Sequence, residues 1–173
     1  IGRSAFDFCT SLKTAGIIGG GYNYEFGWTD IIPAKAFDGC TALTSINIPD
    51  SVTNIGEYAF NYCQSLTSIN IPDSVTTIGT YAFNNNRLPE SSAYIYARKS
   101  DGSIDYSKLI GYGGLKKSDV NIPGKQNGVV LKTIGSNAFA FTGVTSLVIP
   151  EGVTTLEADS LRNAQLSTII IPS

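Results

Sequence analysis

Short segments of alternating apolar and polar residues recur along the chain. In the segment L-T-S-I-N-I-P at 43–49, the residues before the proline alternate in the way that predicts a short strand, with Ile46 and Ile48 facing inward and Asn47 outward. A second segment, V-T-x-I-G, supplies another pair of apolar positions and ends at glycine. The intervening A-F-x-x-C is too short for a full helix and predicts one tight turn. Each unit is therefore one coil, built of short segments that each have an apolar side.

These units repeat at a fixed period. The run IPDSVTNIGEYAF begins at Ile48 and IPDSVTTIGTYAF begins at Ile71, 23 positions later, while the last units, marked by Ile149 and Ile171, are 22 apart. A single coil cannot bury its own Leu, Ile and Phe, but coils stacked about 4.8 Å apart pair their strands and make a continuous core. We therefore predict a mainly β repeat protein, a right-handed solenoid of about six 22–23-residue coils with two insertions. The coils are centred on Phe6, Phe37, Phe60, Phe83, Phe139 and Leu161.

The run IPDSVTNIGEYAFNYCQSLTSINIP resembles the BspA-like leucine-rich repeat of bacterial surface proteins. The resemblance covers all of the chain except the two insertions. It implies a curved leucine-rich-repeat solenoid over residues 1–173, of the kind that bacteria place outside the cell or on its surface for adhesion and other macromolecular binding. It brings no catalytic motif with it. The second insertion is also similar to segments that interrupt such arrays.

The first insertion, at about 18–29, contains an aromatic row. Tyr22, Tyr24, Phe26 and Trp28 occupy alternate positions, so in an extended segment their rings share one face. Such a face can stack on sugars or bind a protein partner. The alternative is that the rings fold back over the neighbouring coil as additional core.

The second insertion, at about 84–132, contains a candidate hairpin. Its strands, AYIYARKS and SIDYSKLI, are joined by Asp101-Gly102, a dipeptide suited to a tight primed turn. That register sets Arg98 opposite Asp105 as an exposed ion pair. The D-G-S-I-D stretch begins like a calcium loop but lacks the glycine and the closing glutamate of one.

The exposed side of the L-T-S-I-N-I strands is the other candidate binding surface. Its outward residues form a ladder from coil to coil, polar in the early coils and apolar in the last two, and an apolar strip needs a partner or a further coil to cover it. The alternative is that these side chains only face water and bind no partner. The predicted binding residues of this face are Ser45, Asn47, Ser68, Asn70, Val148 and Ile170.

Composition excludes several functions. The chain has no histidine, which removes the usual general base and the commonest transition-metal ligand, so we predict no catalytic residues, no metal and no cofactor. The net charge of −2 does not suit nucleic acid, and no apolar run reaches the roughly 20 residues that span a bilayer. Cys9, Cys40 and Cys63 share one repeat position and should stack as a ladder of free thiols, a poor geometry for a disulfide. The carboxylates of Glu151, Glu157 and Asp159 are expected to point to solvent.

We therefore expect a non-catalytic bacterial cell-surface module that binds a protein or glycan ligand on a host or neighbouring cell. The alternative is a structural spacer that presents another domain of a larger surface protein. Because the chain starts within one coil and ends at the start of another, we expect a longer parent protein that supplies further repeats.

Overall fold

The structure, a computed structural model, describes residues 2–15 and 30–172. These residues form fourteen short strands and one four-residue helix. The strands of the first four coils are β1 (Thr14–Ala15), β2 (Ile31–Ile32), β3 (Ser45–Ile46), β4 (Asn54–Ile55) and β5 (Thr77–Ile78). The second insertion contains α1 (Glu90–Ala93), β6 (Tyr94–Arg98), β7 (Ile104–Tyr112), β8 (Val120–Asn121), β9 (Lys125–Gln126) and β10 (Val129–Val130). The last coils contain β11 (Thr133–Ile134), β12 (Ser146–Val148), β13 (Thr155–Leu156) and β14 (Thr168–Ile170).

Two ladders of parallel strands join the coils. In the first ladder, formed by the L-T-S-I segments, β1 pairs with β3, and β12 lies between β8 and β14. The strand predicted for the L-T-S-I segment at 66–69 was wrong, because these residues form no strand and the first ladder has a gap there. In the second ladder, formed by the V-T-x-I segments, β4 lies between β2 and β5, and β11 lies between β7 and β13. Equivalent residues of successive coils are partners in these pairs, as in Asn54 with Thr77. The predicted solenoid is confirmed.

The A-F segments form a third ladder, in which turns rather than strands join the coils. The amide of Phe37 donates to the carbonyl of Ala59 at 2.8 Å, and the amide of Phe60 donates to the carbonyl of Ala82 at 2.8 Å. In every coil the residues two before and two after the central Phe or Leu have positive φ. Several of these strained residues also donate their amides to the next coil, for example Tyr58 to Thr80 at 3.0 Å, which offsets the cost of a left-handed conformation.

The central rings stack inside the solenoid. The ring centroids of Phe6, Phe37, Phe60 and Phe83 are 5.2, 5.3 and 5.5 Å apart in succession, with interplanar angles of 10° or less. The rings of Phe37 and Phe60 are completely buried. Ile32, Ile55, Leu43 and Leu66 pack around them in the same cluster, so the core repeats with the sequence.

Threonines of the repeat join neighbouring coils through their side chains. The hydroxyl of Thr53 donates to the carbonyl of Asp30, and that of Thr76 donates to the carbonyl of Thr53. The hydroxyl of Thr44 likewise donates to the carbonyl of Lys13. The recurrent threonine of V-T and L-T is thus a structural residue.

The cysteines occupy equivalent places, as predicted. The thiol of Cys40 donates to the carbonyl of Phe6 at 3.0 Å, and that of Cys63 donates to the carbonyl of Phe37 at 3.2 Å. Burial raises the pKa of Cys40 to about 11 and also raises the pKa of Cys63. These two thiols are therefore held protonated in the core and are poor nucleophiles.

The second insertion supplies the elements of an additional coil between the fourth and fifth predicted coils. Lys108 and Leu109 of β7 pair with Thr133 and Ile134 of β11, and β8 pairs with β12, so the insertion continues both strand ladders. The ring of Tyr112 stacks on Phe139 with centroids 5.2 Å apart. The six predicted coils are thus joined by one more, in which Tyr112 rather than a repeat phenylalanine supplies the central ring.

The predicted hairpin is present, but its register and turn were predicted wrongly. Irregularities on either side of Tyr96 shift the pairing, so that Ala97 lies opposite Asp105 and Arg98 opposite Ile104. The connection spans Lys99 to Ser103 with Gly102 in the left-handed region (φ 83°), rather than a two-residue primed turn.

Arg98 binds the neighbouring coil instead of Asp105. Its guanidinium donates to the carbonyls of Ile71 and Gly102, both at 3.1 Å, and lies 3.5 Å from the carboxylate of Asp73. The carboxylate of Asp105 accepts from the amide and hydroxyl of Ser107. Arg98 therefore holds the hairpin against the fourth coil.

We predict that Phe60→Ala lowers the free energy of unfolding by about 3–5 kcal/mol, because it removes a fully buried ring from the middle of the stack. Tyr62→Ala, on the same turn but 46% exposed, should cost less than about 1 kcal/mol. Urea denaturation followed by circular dichroism measures both values. Similar losses in the two variants would contradict the stacked core.

We also predict that Gly102→Ala destabilises the protein more than Gly128→Ala. Both glycines have positive φ (83° and 79°), so each substitution carries a backbone cost of about 1–2 kcal/mol. A Cβ at Gly102 would also overlap the carbonyl oxygen of Asp73, whereas a Cβ at Gly128 meets no atom within 4 Å. The overlap should add about 1–3 kcal/mol. Equal midpoints in thermal unfolding would show that the hairpin does not dock on Asp73.

Candidate interaction surfaces

The predicted polar ladder lies on the surface. Ser45, Asn47, Ser68 and Asn70 are all exposed, while the Ile46 side chain between the first two is buried. None of these four side chains forms a hydrogen bond with any other residue in the parts of the chain that the structure describes. They differ in this from the threonines, whose hydroxyls join the coils.

The apolar end of the ladder is only partly exposed. Val148 is half-buried between its strand partners Asn121 and Ile170, and Ile170 is 55% exposed. The structure thus brings Val148 and Ile170 together in adjacent coils, as predicted. Asn121, between the polar and apolar ends, was not predicted, although V-N-I-P at 120–123 repeats the I-N-I-P at 46–49.

The hairpin interrupts the ladder. The Tyr94 hydroxyl donates to the carbonyl of Asn121 at 2.9 Å, and a groove of about 220 Å³ separates Tyr94 and Tyr96 from Asn70. Burial raises the pKa of Tyr94 to about 12. The predicted residues therefore form two groups on either side of the hairpin rather than one continuous surface.

The predicted aromatic row of Tyr22, Tyr24, Phe26 and Trp28 lies outside the described residues. Its role as a binding surface or as additional core stays a prediction.

A different aromatic surface follows the turns. We call it the aromatic stripe: Lys35, Tyr58, Tyr81, Phe141 and Arg162. The Tyr58 and Tyr81 rings stack with centroids 4.9 Å apart, and Tyr81 and Phe141 form a T-shaped pair with centroids 6.1 Å apart. The ammonium of Lys35 lies 5.4 Å from the centre of the Tyr58 ring, and the guanidinium carbon of Arg162 lies 6.0 Å from the centre of the Phe141 ring. The equal spacing of Tyr58 and Tyr81 from the central Phe could have indicated their stacking.

One carboxylate that was expected to point to solvent is bound instead. Glu157 accepts from the Lys108 ammonium at 2.6 Å and from the amide and hydroxyl of Ser136 at 2.9 and 3.2 Å. The hydrogen bond from Lys108, followed by that from the Ser136 amide, lowers the pKa of Glu157. Three successive coils therefore meet at this carboxylate, which has a structural role. Glu151 and Asp159 are exposed, as expected.

Within residues 2–15 and 30–172, no group of three or more His, Cys, Asp or Glu side chains is arranged to hold a metal ion. In the same residues no helix has the length and apolar character needed to cross a membrane.

Comparison with known proteins identifies the repeat. The profile of the BspA type leucine-rich-repeat region matches six copies, at residues 30–98 and 116–173, which together make up well over half of the chain. The chain belongs to the BspA type leucine-rich-repeat family. The second match begins within the insertion, so this BspA type array includes the segment that contains β8. No curated protein matches the sequence.

Solved structures with a similar fold come from bacteria. A leucine rich cell surface protein of Faecalibacterium prausnitzii A2-165 is 27% identical, with a TM-score of 0.60 over 97% of this chain and 44% of that one. The pneumococcal vaccine antigen PcpA is 22% identical, with a TM-score of 0.51 over 82% of this chain and 38% of that one, and supports the fold alone. This BspA type array spans less than half the length of either structure.

We predict that the Glu157 cluster makes stability depend on acid pH. The pKa of Glu157 is lower in the folded than in the unfolded chain. The carboxylate therefore contributes fully to stability above its pKa in the unfolded chain, and this contribution is lost as pH falls through its pKa in the folded chain. Glu157→Gln should cost about 0.5–1 kcal/mol at pH 7, since the pair is partly exposed, and little at about pH 2. Glu151→Gln, at an exposed carboxylate, is the control. An unchanged difference between wild type and Glu157→Gln from about pH 7 to pH 2 would contradict the assignment.

Proposed function

We propose that this chain is a non-catalytic interaction module of a bacterial surface protein, which adheres to a host or matrix protein through the exposed side of the first ladder. Its membership of the BspA type family supports an interaction role, since such repeats typically serve as non-catalytic interaction modules. A structural relative described as a cell surface protein supports a location outside the cell.

The observation that supports this surface most strongly is the contrast between two sets of polar side chains. Thr44, Thr53 and Thr76 use their hydroxyls to join coils. Asn47 and Asn70 recur in the repeat as regularly as these threonines. Their side-chain amides, however, have no partner among the described residues and project to solvent. These amides join no coils, so the row is available for many modest contacts with an extended partner.

The apolar residues on the other side of the hairpin fit the same role. Val148 and Ile170 lie side by side at one end of the ladder, where they supply apolar contact area next to Asn121. Interfaces commonly combine an apolar centre with a polar rim. We propose that the aromatic row of Tyr22, Tyr24, Phe26 and Trp28 adds to this binding surface.

The alternative is that the array only positions another domain. The backbone hydrogen bonds between coils favour this alternative, because they stiffen the array whatever its surface carries.

We predict that the chain binds at least one of immobilised collagen, laminin and fibronectin, and that Asn47→Ala, Asn70→Ala and Asn121→Ala together weaken the binding at least about tenfold. Surface plasmon resonance measures the affinity, and thermal unfolding checks that the variant folds. Thr77→Ala with Thr155→Ala, at exposed positions of the second ladder, is the matched control and should bind as wild type.

Tyr24→Ala with Trp28→Ala tests the aromatic row separately. Unchanged binding by this folded variant would remove the row from the proposed site. Unchanged binding by the triple asparagine variant would remove the ladder, and no binding to any of the three proteins would favour the spacer.

A further inference from the structure

A second surface, on the turn side of the solenoid, has the composition of a ligand site. It is an open cleft of about 370 Å³, within the size range of small-molecule sites. Three repeat coils and the second insertion meet there. We call it the basic cleft, and its lining residues are Tyr62, Gln64, Asn85, Asn86, Arg87, Leu115, Lys117 and Thr142.

The charges of the basic cleft are uncompensated. Arg87 and Lys117 both line it, and no Asp or Glu does. Among the described residues, neither cation forms an ion pair with a carboxylate. The four ion pairs found there involve other side chains. Burial, followed by the charge of Arg87, lowers the pKa of Lys117. An anion between the two cations would offset their mutual repulsion.

The position of Lys117 is fixed before any ligand arrives. Its ammonium donates to the carbonyl of Gly114 at 3.0 Å and lies 5.9 Å from the centre of the Tyr112 ring. Its backbone carbonyl accepts from both the amide and the hydroxyl of Thr145. A cation held in this way loses little freedom when it binds an anion.

A buried amide in the cleft lacks an acceptor. Asn86 is only 1% exposed, and its Oδ1 accepts from the amide of Cys63 at 2.8 Å, which fixes the orientation of the group. Its Nδ2 has no hydrogen-bond partner among the described residues. Cys9, Cys40 and Cys63 occupy the equivalent position in earlier coils, so a core position of the repeat has here become a buried donor beside two cations. Unpaired buried donors are rare, so this one is available to an ordered water or to a ligand atom.

The rim of the cleft suits a sugar ring. Tyr62 is 46% exposed and offers an aromatic face for the C–H groups of a sugar, and Leu115, 52% exposed, adds apolar surface. Gln64 and Asn85 supply amides, which can both donate to and accept from hydroxyls.

We infer that the basic cleft binds an acidic sugar, in which a carboxylate or sulfate lies between Arg87 and Lys117 and the ring lies against Tyr62. The inference rests on the proposed function as a surface-interaction module, and it names a ligand class and a site separate from the first ladder. Arg87 can bind either anion through two parallel hydrogen bonds.

The experiment uses three sugars on one scaffold: 3′-sialyllactose with a carboxylate, 3′-sulfolactose with a sulfate, and neutral lactose. Isothermal titration calorimetry and ligand-observed NMR at up to ~10 mM sugar detect even millimolar dissociation constants. We expect at least one acidic sugar to bind about tenfold or more tightly than lactose, and to weaken as salt is raised. The stronger of the two identifies the anion.

Arg87→Ala and Lys117→Ala should each reduce the affinity for the acidic sugar about tenfold or more. Lys116→Ala is the matched control, because it removes the same charge one residue away, where Lys116 faces Glu90 at 3.8 Å and does not line the cleft. Thermal unfolding checks each variant, and the exposed position of Arg87 makes its variant informative even if Lys117→Ala folds poorly.

Lactose binding as tightly as the acidic sugars would overturn the inference. So would Arg87→Ala binding as wild type, or no acidic sugar binding to the folded wild-type protein. Each of these results leaves the binding of matrix proteins to the first ladder untouched, so failure of the cleft and failure of the proposed function are distinguishable.

Discussion

The structure depends on a single coil-to-coil spacing that three different backbone ladders must share. The tightest requirement is on the turn side, where residues such as Tyr58 and Tyr62 have left-handed backbones and donate their amides to the next coil. An isolated coil has no acceptor for these amides, so the strained turn is stable only in a stack. The phenylalanine rings follow the same spacing, because centroids 5.2–5.5 Å apart leave no room for another layer between them. The strained turns and the stacked rings therefore depend on each other for stability.

This arrangement separates stability from recognition. Inward side chains and threonine hydroxyls hold the coils together, so the outward positions between them can change without cost to the core. The first ladder uses this freedom for regular amides, and the turn side uses it for the aromatic stripe and the basic cleft. The insertion contributes to both faces, since Tyr94 lies beside the first ladder and Lys117 lines the cleft.

The sequence period predicts the structural features that recur in every coil, but not those that depend on the insertion. The buried Phe60, the inward Ile46 and the outward Asn47 followed from equal spacing, because equivalent residues of stacked coils occupy equivalent environments. The strand partner of Arg98 could not be predicted from the repeat. Two irregularities in the hairpin pairing shift its register, and the hairpin sequence does not recur elsewhere in the chain. Glu157 was expected in solvent because its partner Lys108 comes from the non-repeating segment. The basic cleft was missed for the same reason, since Arg87 and Lys117 are brought together by the fold of the insertion.

The inserted hairpin also divides the core. Ile95 of β6 belongs to the cluster of the first coils, whereas Leu109 of β7 belongs to the cluster of the last ones. Both strands contribute to both clusters, since Tyr94 and Tyr96 of β6 also pack on the second and Ile110 of β7 packs on the first. Strand β6 lies against β5, where parallel pairing of the second ladder stops. On the turn side the two halves also touch directly, since the Tyr81 hydroxyl donates to the side chain of Asn137 and the Asn84 amide donates to the carbonyl of Ala140. The hairpin thus separates the two cores on the strand side of the array, while the turn side continues directly from the fourth coil to the fifth.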